Sequence, residues 1–367
     1  MEGKRVKITR RPKPYPALKA GQMASLLKPV MASLREGEGE GVLFQNNWMV
    51  GVGEYLMVWS PLPTGVAGCV NGKLLFEFVH RLPPEEALQC RVEDLHLILE
   101  SKDKPRKLKM NLISEVWEPW ATPPKLEEFL PLEESFFKDL ELALGGLEVK
   151  SLIGPLAGVW VGENKVLATD ECRANMLQRQ GGIYAIKPGL LFSARALDCL
   201  LDLKLTCNGW LLDKDRRWVW FSTLEGILCA VRLMQSEEYP TQALVELFSR
   251  SRHYVSFPVS EFGEAVDLAH VVAKHSGTKN LIVSLVWKGN TLTIVGRGEF
   301  GSFEQSMNWK KDSSLPDEGG FDVNPVLLKN MIEGSIEAKF GLTETLVFVE
   351  GEDFQYLAPL IWKSNEA

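Results

Sequence analysis

The stretch VNGKLLFEFV, residues 70–79, is one of three matching segments in this chain of 367 residues. The other two are FSARALDCLL at 192–201 and FDVNPVLLKN at 321–330. Each has a small or polar residue at a helix-cap position, then apolar residues at helical spacing, and each leads into an apolar run of strand length. Self-similar segments that recur along a chain indicate repeated structural units, so we predict three similar units.

An earlier helix and a set of paired strands precede each of these segments. Apolar residues at three- and four-residue spacing predict the earlier helices at Met23 to Leu34, Phe136 to Leu147 and Ser260 to Lys274. Apolar runs broken by turn signals predict paired strands at 41–60, 158–177 and 281–298. The predicted fold class is therefore α+β, with three repeated domains that each pack two helices on antiparallel sheets.

The repeat divides the chain into three predicted domains, at 1–118, 125–252 and 255–367. A proline-rich connector at 115–124 joins the first two, and a short polar segment at 249–253 joins the second to the third. A chain of this length normally folds as several domains with separate cores, which agrees with the division.

The composition favours a cytoplasmic protein that needs no cofactor. The formal net charge is −7, and no stretch is long and apolar enough to span a membrane. The six cysteines contain no CxxC pair, which favours buried thiols over disulfides or metal ligands. His270 and His275 are five residues apart and would splay on a helix, so no metal site is predicted. No glycine loop for phosphate, nucleophile elbow or His-carboxylate pair is present, so we do not predict an enzyme.

Three further segments carry a resemblance to a known family. They are VLATDECR at 166–173, VRLMQSEEYP at 231–240 and VFVEGEDFQYLAPL at 347–360. In this order and spacing they resemble the bacterial DNA sliding clamp, the beta subunit of DNA polymerase III. The middle domain of that family carries an ATDGHR strand and an RLIEGEYP strand, and its chain ends in a YLIMP-like strand. The triplication matches as well, so the resemblance covers nearly the whole chain.

The resemblance implies a ring around double-stranded DNA. Clamps of this family close two three-domain chains head to tail, with sheets outside and helices lining the hole. The basic residues expected to face DNA, without sequence preference, are Lys28, Lys73, Arg81, Lys138, Arg195, Lys204, Lys274 and Lys329. A ring holds DNA by topology, so a negative net charge is compatible with DNA binding. The basic start, Lys4 to Lys13, either contacts DNA or, in the reading we favour, belongs to an edge strand at Val6 to Ile8.

The resemblance also implies an apolar cleft between domains two and three that receives short peptides from DNA polymerase and clamp-loader subunits. Carried over residue by residue, its walls are Leu156, Thr169, Glu171, Cys172, Arg173, Ala174, Pro240, Leu244, Val245, Tyr356, Ala358, Pro359 and Leu360. This chain has Glu171-Cys172 where the family usually has Gly-His, and Leu244 where a basic residue often stands. We therefore expect a cleft with altered peptide specificity.

Closure of a homodimer ring requires the first domain of one chain to contact the third domain of its partner. The resemblance places apolar contacts at Leu108 and Met110 on one side and at Val271 and Val272 on the other. The first hairpin, 44–53, lacks the TATD strand usual in the family. We therefore expect a divergent clamp, with a phage or mobile element as one candidate source. The alternative is a clamp-like adaptor or decoy that binds clamp-partner peptides without encircling DNA.

Overall fold

The computed structural model describes most of the chain. The described residues are 17–34, 41–45, 47–114, 119, 121–145, 147, 154–170, 173–179, 189–235, 239–275, 281–313, 315–326, 328, 339–343, 345–350, 354–359 and 361–362. The helices bounded within these ranges are α1 Ala20–Ser33, α2 Gly72–His80, α3 Phe136–Leu144, α4 Ala194–Asp202, α5 Thr241–Phe248 and α6 Val259–Ala273. The edge strand expected at Val6 to Ile8 lies outside the described residues.

The strands pair only in antiparallel fashion in the described part of the chain. In chain order they are β1 Leu18–Lys19, β2 Gly41–Gln45, β3 Trp48–Val52, β4 Leu56–Pro61, β5 Gly68–Asn71, β6 Ala87–Glu93, β7 His96–Ser101, β8 Lys107–Asn111, β9 Leu130–Pro131, β10 Gly158–Val161, β11 Lys165–Thr169, β12 Ala174–Gln178, β13 Leu190–Ser193, β14 Cys207–Leu212, β15 Trp218–Thr223, β16 Leu228–Met234, β17 His253–Ser256, β18 Val283–Lys288, β19 Thr291–Gly298, β20 Gly301–Asn308, β21 Lys310–Lys311, β22 Glu318–Val323, β23 Lys339–Leu342, β24 Leu346–Glu350, β25 Phe354–Pro359 and β26 Ile361–Trp362.

By its internal contacts the chain forms two compact units. Unit one contains Met1–Leu132 and Cys199–Arg232, and unit two contains Glu133–Asp198 and Leu233–Ala367. The segment predicted as domain two therefore contributes to both units. The three predicted domain boundaries stay a prediction.

Unit one contains a four-stranded sheet, ordered β1-β6-β7-β8, and a longer sheet ordered β9-β14-β15-β16-β4-β3-β2-β5. In the longer sheet Leu228 of β16 lies opposite Trp59 of β4, so segments predicted as domains one and two share one ladder. Three tryptophans, Trp59, Trp218 and Trp220, are buried in one apolar cluster at this junction. Cross-strand aromatic packing of this kind stabilises the pairing.

Unit two contains a five-stranded sheet, ordered β20-β19-β18-β22-β26, and a second sheet in which β10 to β13 continue into β25, β24, β23, β17 and β21. The pairing of β12 with β25 sets Asn175 opposite Tyr356 and joins segments predicted as domains two and three. Helix α3 is tied to β12 because the amide Nδ2 of Asn175 donates to the carbonyls of Ala143 (2.6 Å) and Gly145 (2.9 Å) near the end of the helix.

The repeat predicted from sequence is visible in the helix caps. The Asn71 side chain accepts a hydrogen bond from Leu74 N at 2.8 Å, and Asn324 accepts one from Val326 N at 2.9 Å. Ser193 Oγ accepts from Ala196 N at 3.3 Å. These three side chains occupy the cap position of the three repeated segments, and each satisfies a backbone N–H at a helix start.

The repeat is also visible in the close packing of helices on strand glycines. A Cβ added at Gly51 of β3 would lie 2.4 Å from the carbonyl oxygen of Val30 in α1. A Cβ added at Gly296 of β19 would lie 2.3 Å from the carbonyl oxygen of Ala269 in α6. In both places the helix backbone contacts the strand so closely that only glycine fits.

None of the helices in the described ranges has the length and apolar character needed to cross a membrane.

Candidate functional site

The turn between β11 and β12 is organised by Asp170. One carboxylate oxygen of Asp170 accepts from the backbone N–H of Arg173 at 3.0 Å, and the other accepts from Arg173 Nε at 2.6 Å. Thr169 Oγ1 donates to the carbonyl of Arg173 at 2.7 Å. The Asp170 and Arg173 side chains are only 5% and 10% exposed. The carboxylate therefore fixes both the backbone and the guanidinium of Arg173 at the predicted cleft.

Tyr356 lies close to this ion pair. Burial raises the pKa of Tyr356 to about 12, although the positive charge of Arg173 opposes that shift. Burial by itself lowers the pKa of Arg173, but Tyr356 and Asp170 outweigh it, so the pKa is above its ordinary value. Both groups therefore keep their protons at neutral pH.

The structure buries much of the predicted cleft wall. Thr169, Arg173, Ala174, Leu244, Tyr356 and Ala358 are buried; Leu156, Pro240 and Val245 are half-buried; Pro359 is exposed; Glu171, Cys172 and Leu360 lie outside the described residues. All of the described members belong to unit two. Ala174 lies opposite Leu357 in the ladder of β12 and β25, so strands from two predicted domains bring these residues together.

Helix α5 supplies the other wall. Leu244 is 5% exposed and belongs to a buried cluster that includes Leu167 of β11, Leu357 of β25 and Phe348 of β24. Val245 packs against the same cluster and is only half-buried. Leu244 therefore acts as a core residue here, and Val245 and Pro240 are the more accessible apolar groups on this wall.

Two residues outside the predicted set hold α5 in place. Tyr239 donates its hydroxyl to the carbonyl of Leu167 at 3.1 Å just before the helix. Arg252 Nη2 donates to the carbonyl of Phe248 at 2.9 Å at the helix end, and forms an ion pair with Glu350 at 2.5 Å. Its guanidinium carbon lies 4.3 Å from the centre of the Phe348 ring, within cation–π range. In the sequence, Tyr239 lies in the 231–240 segment and Arg252 belongs to the short polar connector. Neither position indicates which buried group its side chain contacts.

The basic residues predicted to face DNA are exposed wherever the structure describes them. They are Lys28, Lys73, Arg81, Lys138, Arg195, Lys204 and Lys274. Lys329 lies outside the described residues. In unit one, Lys28 and Lys73 belong to helices that pack against each other. These residues could contact phosphates without base-specific geometry.

Two sheet edges lie at the residues predicted to close a ring. Within the described residues β8 pairs only with β7, and β20 pairs only with β19, so each presents an open edge. On β8 Leu108 is half-buried and Met110 is 3% exposed. On α6, which packs beside β20, Val271 is 61% exposed and Val272 is half-buried. Open strand edges are templates for pairing with another chain.

No group of three or more His, Cys, Asp or Glu side chains in the described ranges is arranged to hold a metal ion. Of the cysteines, Cys69, Cys90 and Cys229 are buried, and Cys199 and Cys207 are half-buried.

The folded chain has the architecture of DNA sliding clamps. It matches no family model, and no curated protein matches it. Solved structures do: it aligns with the DNA polymerase III subunit beta of Pseudomonas aeruginosa at TM-score 0.76 and 13% identity, covering 95% of this chain and 100% of that one. The beta chain of Streptococcus pneumoniae gives 0.77 and 14%, and the sliding clamp of Bacillus subtilis gives 0.75 and 16%; each alignment covers 96% of this chain and 100% of the other. The fold expected from the resemblance is confirmed.

Proposed function

We propose that this protein is a DNA sliding clamp, a non-enzymatic processivity factor that encircles duplex DNA and tethers replication proteins to it. The observation that carries the proposal is the full-length match of its fold to bacterial DNA polymerase III beta subunits. Exposed cations on helices in both units support sequence-independent contact with phosphates.

The open edges of β8 and β20 support closure as a homodimer. A strand on one copy can pair with a strand on the other, and two such heterologous contacts close a head-to-tail ring. The charges agree with this pairing, because β8 exposes Lys107 and Lys109 while β20 exposes Glu304. Complementary charges favour the correct register and speed encounter.

The experiment that tests encirclement measures retention on DNA circles. A nicked circular DNA and its linearised form are loaded at modest salt with a matching clamp loader, then washed at high salt. A closed ring should remain on the circle and slide off the linear DNA, because topology survives salt that removes phosphate contacts. Equal loss from both forms with a competent loader would reject encirclement and favour the clamp-like adaptor or decoy.

The peptide cleft is proposed at α5 and the strands β11, β12 and β25. Its support is that half-buried Val245 packs against the buried cluster that contains Ala174, the residue next to the ion-paired Arg173. Apolar area with one directed polar group is what a peptide pocket needs. Its occupants would be short segments of DNA polymerase or clamp-loader subunits. Their specificity would be altered by Glu171 and Cys172, and by the absence of a basic side chain at Leu244.

Calorimetric titration with a synthetic clamp-binding peptide of a bacterial polymerase tests the cleft. Val245→Thr keeps the side-chain shape but places a hydroxyl on the apolar wall, and Leu360→Asp introduces a charge at a residue that the resemblance assigns to the cleft. Both should weaken binding several-fold or more, while Ala243→Ser, on an exposed position of the same helix, should not. Unchanged affinity in both cleft variants would place the peptide elsewhere.

A further inference from the structure

Three large apolar side chains stand out as exposed in the described part of the chain. Phe300 is 85% exposed, Leu224 is 79% exposed and Leu95 is 73% exposed. Leu95 belongs to the two-residue turn between β6 and β7, where Glu93 pairs with His96. Phe300 belongs to the two-residue turn between β19 and β20, where Gly298 pairs with Gly301. Covering such exposed apolar side chains with a partner removes them from water, which is favourable.

Leu95 and Phe300 each stand beside one of the two open sheet edges. The β6–β7 turn is linked to the end of β8, because Leu112 N donates to the carbonyl of Leu95 at 2.8 Å. The β19–β20 turn leads directly into β20. Leu224, in contrast, lies in the turn between β15 and β16, which are both inner strands of their sheet.

Side-chain alternation and charge restrict two copies to registers that set Lys107 or Lys109 opposite Glu304. Leu108 and Met110 point to the covered face of β8, and Phe303 and Met307 point to the covered face of β20. Antiparallel pairing with Lys109 opposite Glu304 of a second copy keeps these covered faces together and joins opposite charges on the exposed face. Counting outward, this register places Leu112 opposite Gly301, so the Phe300 turn arrives at the end of the sheet that carries Leu95.

We propose that Phe300 of one copy packs between Leu95 and Leu112 of the other copy, as an apolar latch at one end of each ring-closing contact. The latch rests on the proposed ring and adds to it a contact between named residues. It also fixes the direction of pairing, since parallel strands would carry Phe300 to the opposite end of β8, among Lys102, Lys104 and Lys107.

Sedimentation equilibrium of the full chain tests the latch. Phe300→Ser and Leu95→Ser change exposed residues, so thermal melting should show an unchanged fold for both. Truncating one apolar anchor weakens an interface about 10-fold, and a ring contains the contact twice, so each variant should raise the dimer dissociation constant about 100-fold. The double variant should lose little more than either single variant, because both remove the same contact. Leu224→Ser, equally exposed but away from the open edges, should match the wild type.

Failure of the latch and failure of the ring give different results. A wild-type chain that is monomeric at micromolar concentration would overturn both. A wild-type dimer that is dissociated by Lys109→Glu, but is unaffected by Phe300→Ser and Leu95→Ser, would overturn the latch and leave the ring standing. Fully additive losses in the double variant would show that the two side chains act separately, which also overturns the latch.

Discussion

Arg252 joins a helix end to a strand through one buried guanidinium. Its side chain is 7% exposed and that of Glu350 is 15% exposed, so the pair is shielded from water. Removing one partner of a buried ion pair leaves the other charge without compensation. Arg252→Met should therefore lower the free energy of unfolding by about 3 kcal/mol, measured by urea denaturation. It should also weaken peptide binding, because α5 loses the anchor at Phe248.

Lys288→Met is the matched control for that prediction. Lys288 forms an ion pair with Glu318 at 2.8 Å, but the two side chains are 82% and 66% exposed. Water and salt screen such a pair, so the urea midpoint should be essentially unchanged. Equal midpoint shifts for both variants would mean that burial of Arg252 does not set the strength of its ion pair.

The thiol of Cys90 gives a pH-dependent prediction. Burial raises the pKa of Cys90 from an ordinary value of 9.0 to about 12. Between these values the folded chain keeps a proton that the unfolded chain releases, so stability is fully present below pH 9 and falls as pH rises toward 12. One such group contributes a slope of about 1.4 kcal/mol per pH unit.

The slope is measured by urea denaturation of the wild type and Cys90→Ala from pH 8 to about 10.5, a range that includes the onset of the decline at pH 9. The variant should show the shallower decline above pH 9, whatever its stability at pH 8. Parallel declines would contradict the assigned pKa. Tyrosines that titrate in the same range are common to both proteins, so the difference between the slopes reports Cys90 alone.

Among the elements, the fit of α6 on β19 depends on a glycine. Gly296→Ala would place a Cβ 2.3 Å from the carbonyl oxygen of Ala269, and helix backbone cannot move away without disturbing the core. Overpacking of this kind costs about 1–3 kcal/mol. The loss should appear as a lower urea midpoint.

Gly301→Ala is the control, because an added Cβ there meets no atom within 4 Å. It should leave the midpoint unchanged or raise it slightly, since alanine restricts the unfolded chain. A destabilisation equal to that of Gly296→Ala would show that close helix approach is not the cause.

The elements also show how far the sequence could predict the fold. The spacing of apolar residues locates α1, α3 and α6 within a few residues, since an amphipathic helix has a period that survives without tertiary information. Ser193, at the predicted cap position, caps α4, but it and Phe192 also end β13, a strand that the apolar pattern of the repeated segment does not reveal. Helix α5 was not predicted at all, because its eight residues follow a tyrosine–proline pair that suggested a strand.

The candidate site was predictable only in part, for a physical reason. The resemblance gives residue identities, and the structure brings Arg173 and Tyr356 into one place through the pairing of β12 with β25. Pairing between strands more than 170 residues apart leaves no periodic trace in the sequence. The burial of Leu244 and the anchoring role of Arg252 depend on such long-range contacts, so neither could be inferred from local pattern.

For the molecule as a whole, the proposed clamp must attract DNA weakly while carrying a net charge of −7. The exposed cations on the helices should supply that attraction. Each phosphate contact contributes about −0.9 to the slope of log K against log salt for duplex DNA. Replacing Lys73, Lys138 and Arg195 with glutamine should therefore flatten that slope by about 2 to 3, measured by fluorescence anisotropy on short duplex DNA.

The control triple variant replaces Lys125, Lys214 and Lys288 with glutamine. These residues are equally exposed but lie outside the helices, so the variant removes the same charge from the whole molecule. If long-range charge alone governs DNA binding, both triples should weaken it alike, because the net charge becomes equally negative. If the helices contact the phosphates, only the first triple should flatten the slope.

The peptide affinity of both triple variants should equal that of the wild type, since α5 and its strands are untouched. If the first triple variant binds DNA like the wild type, these helices do not make the phosphate contacts, and the adaptor is favoured over the ring.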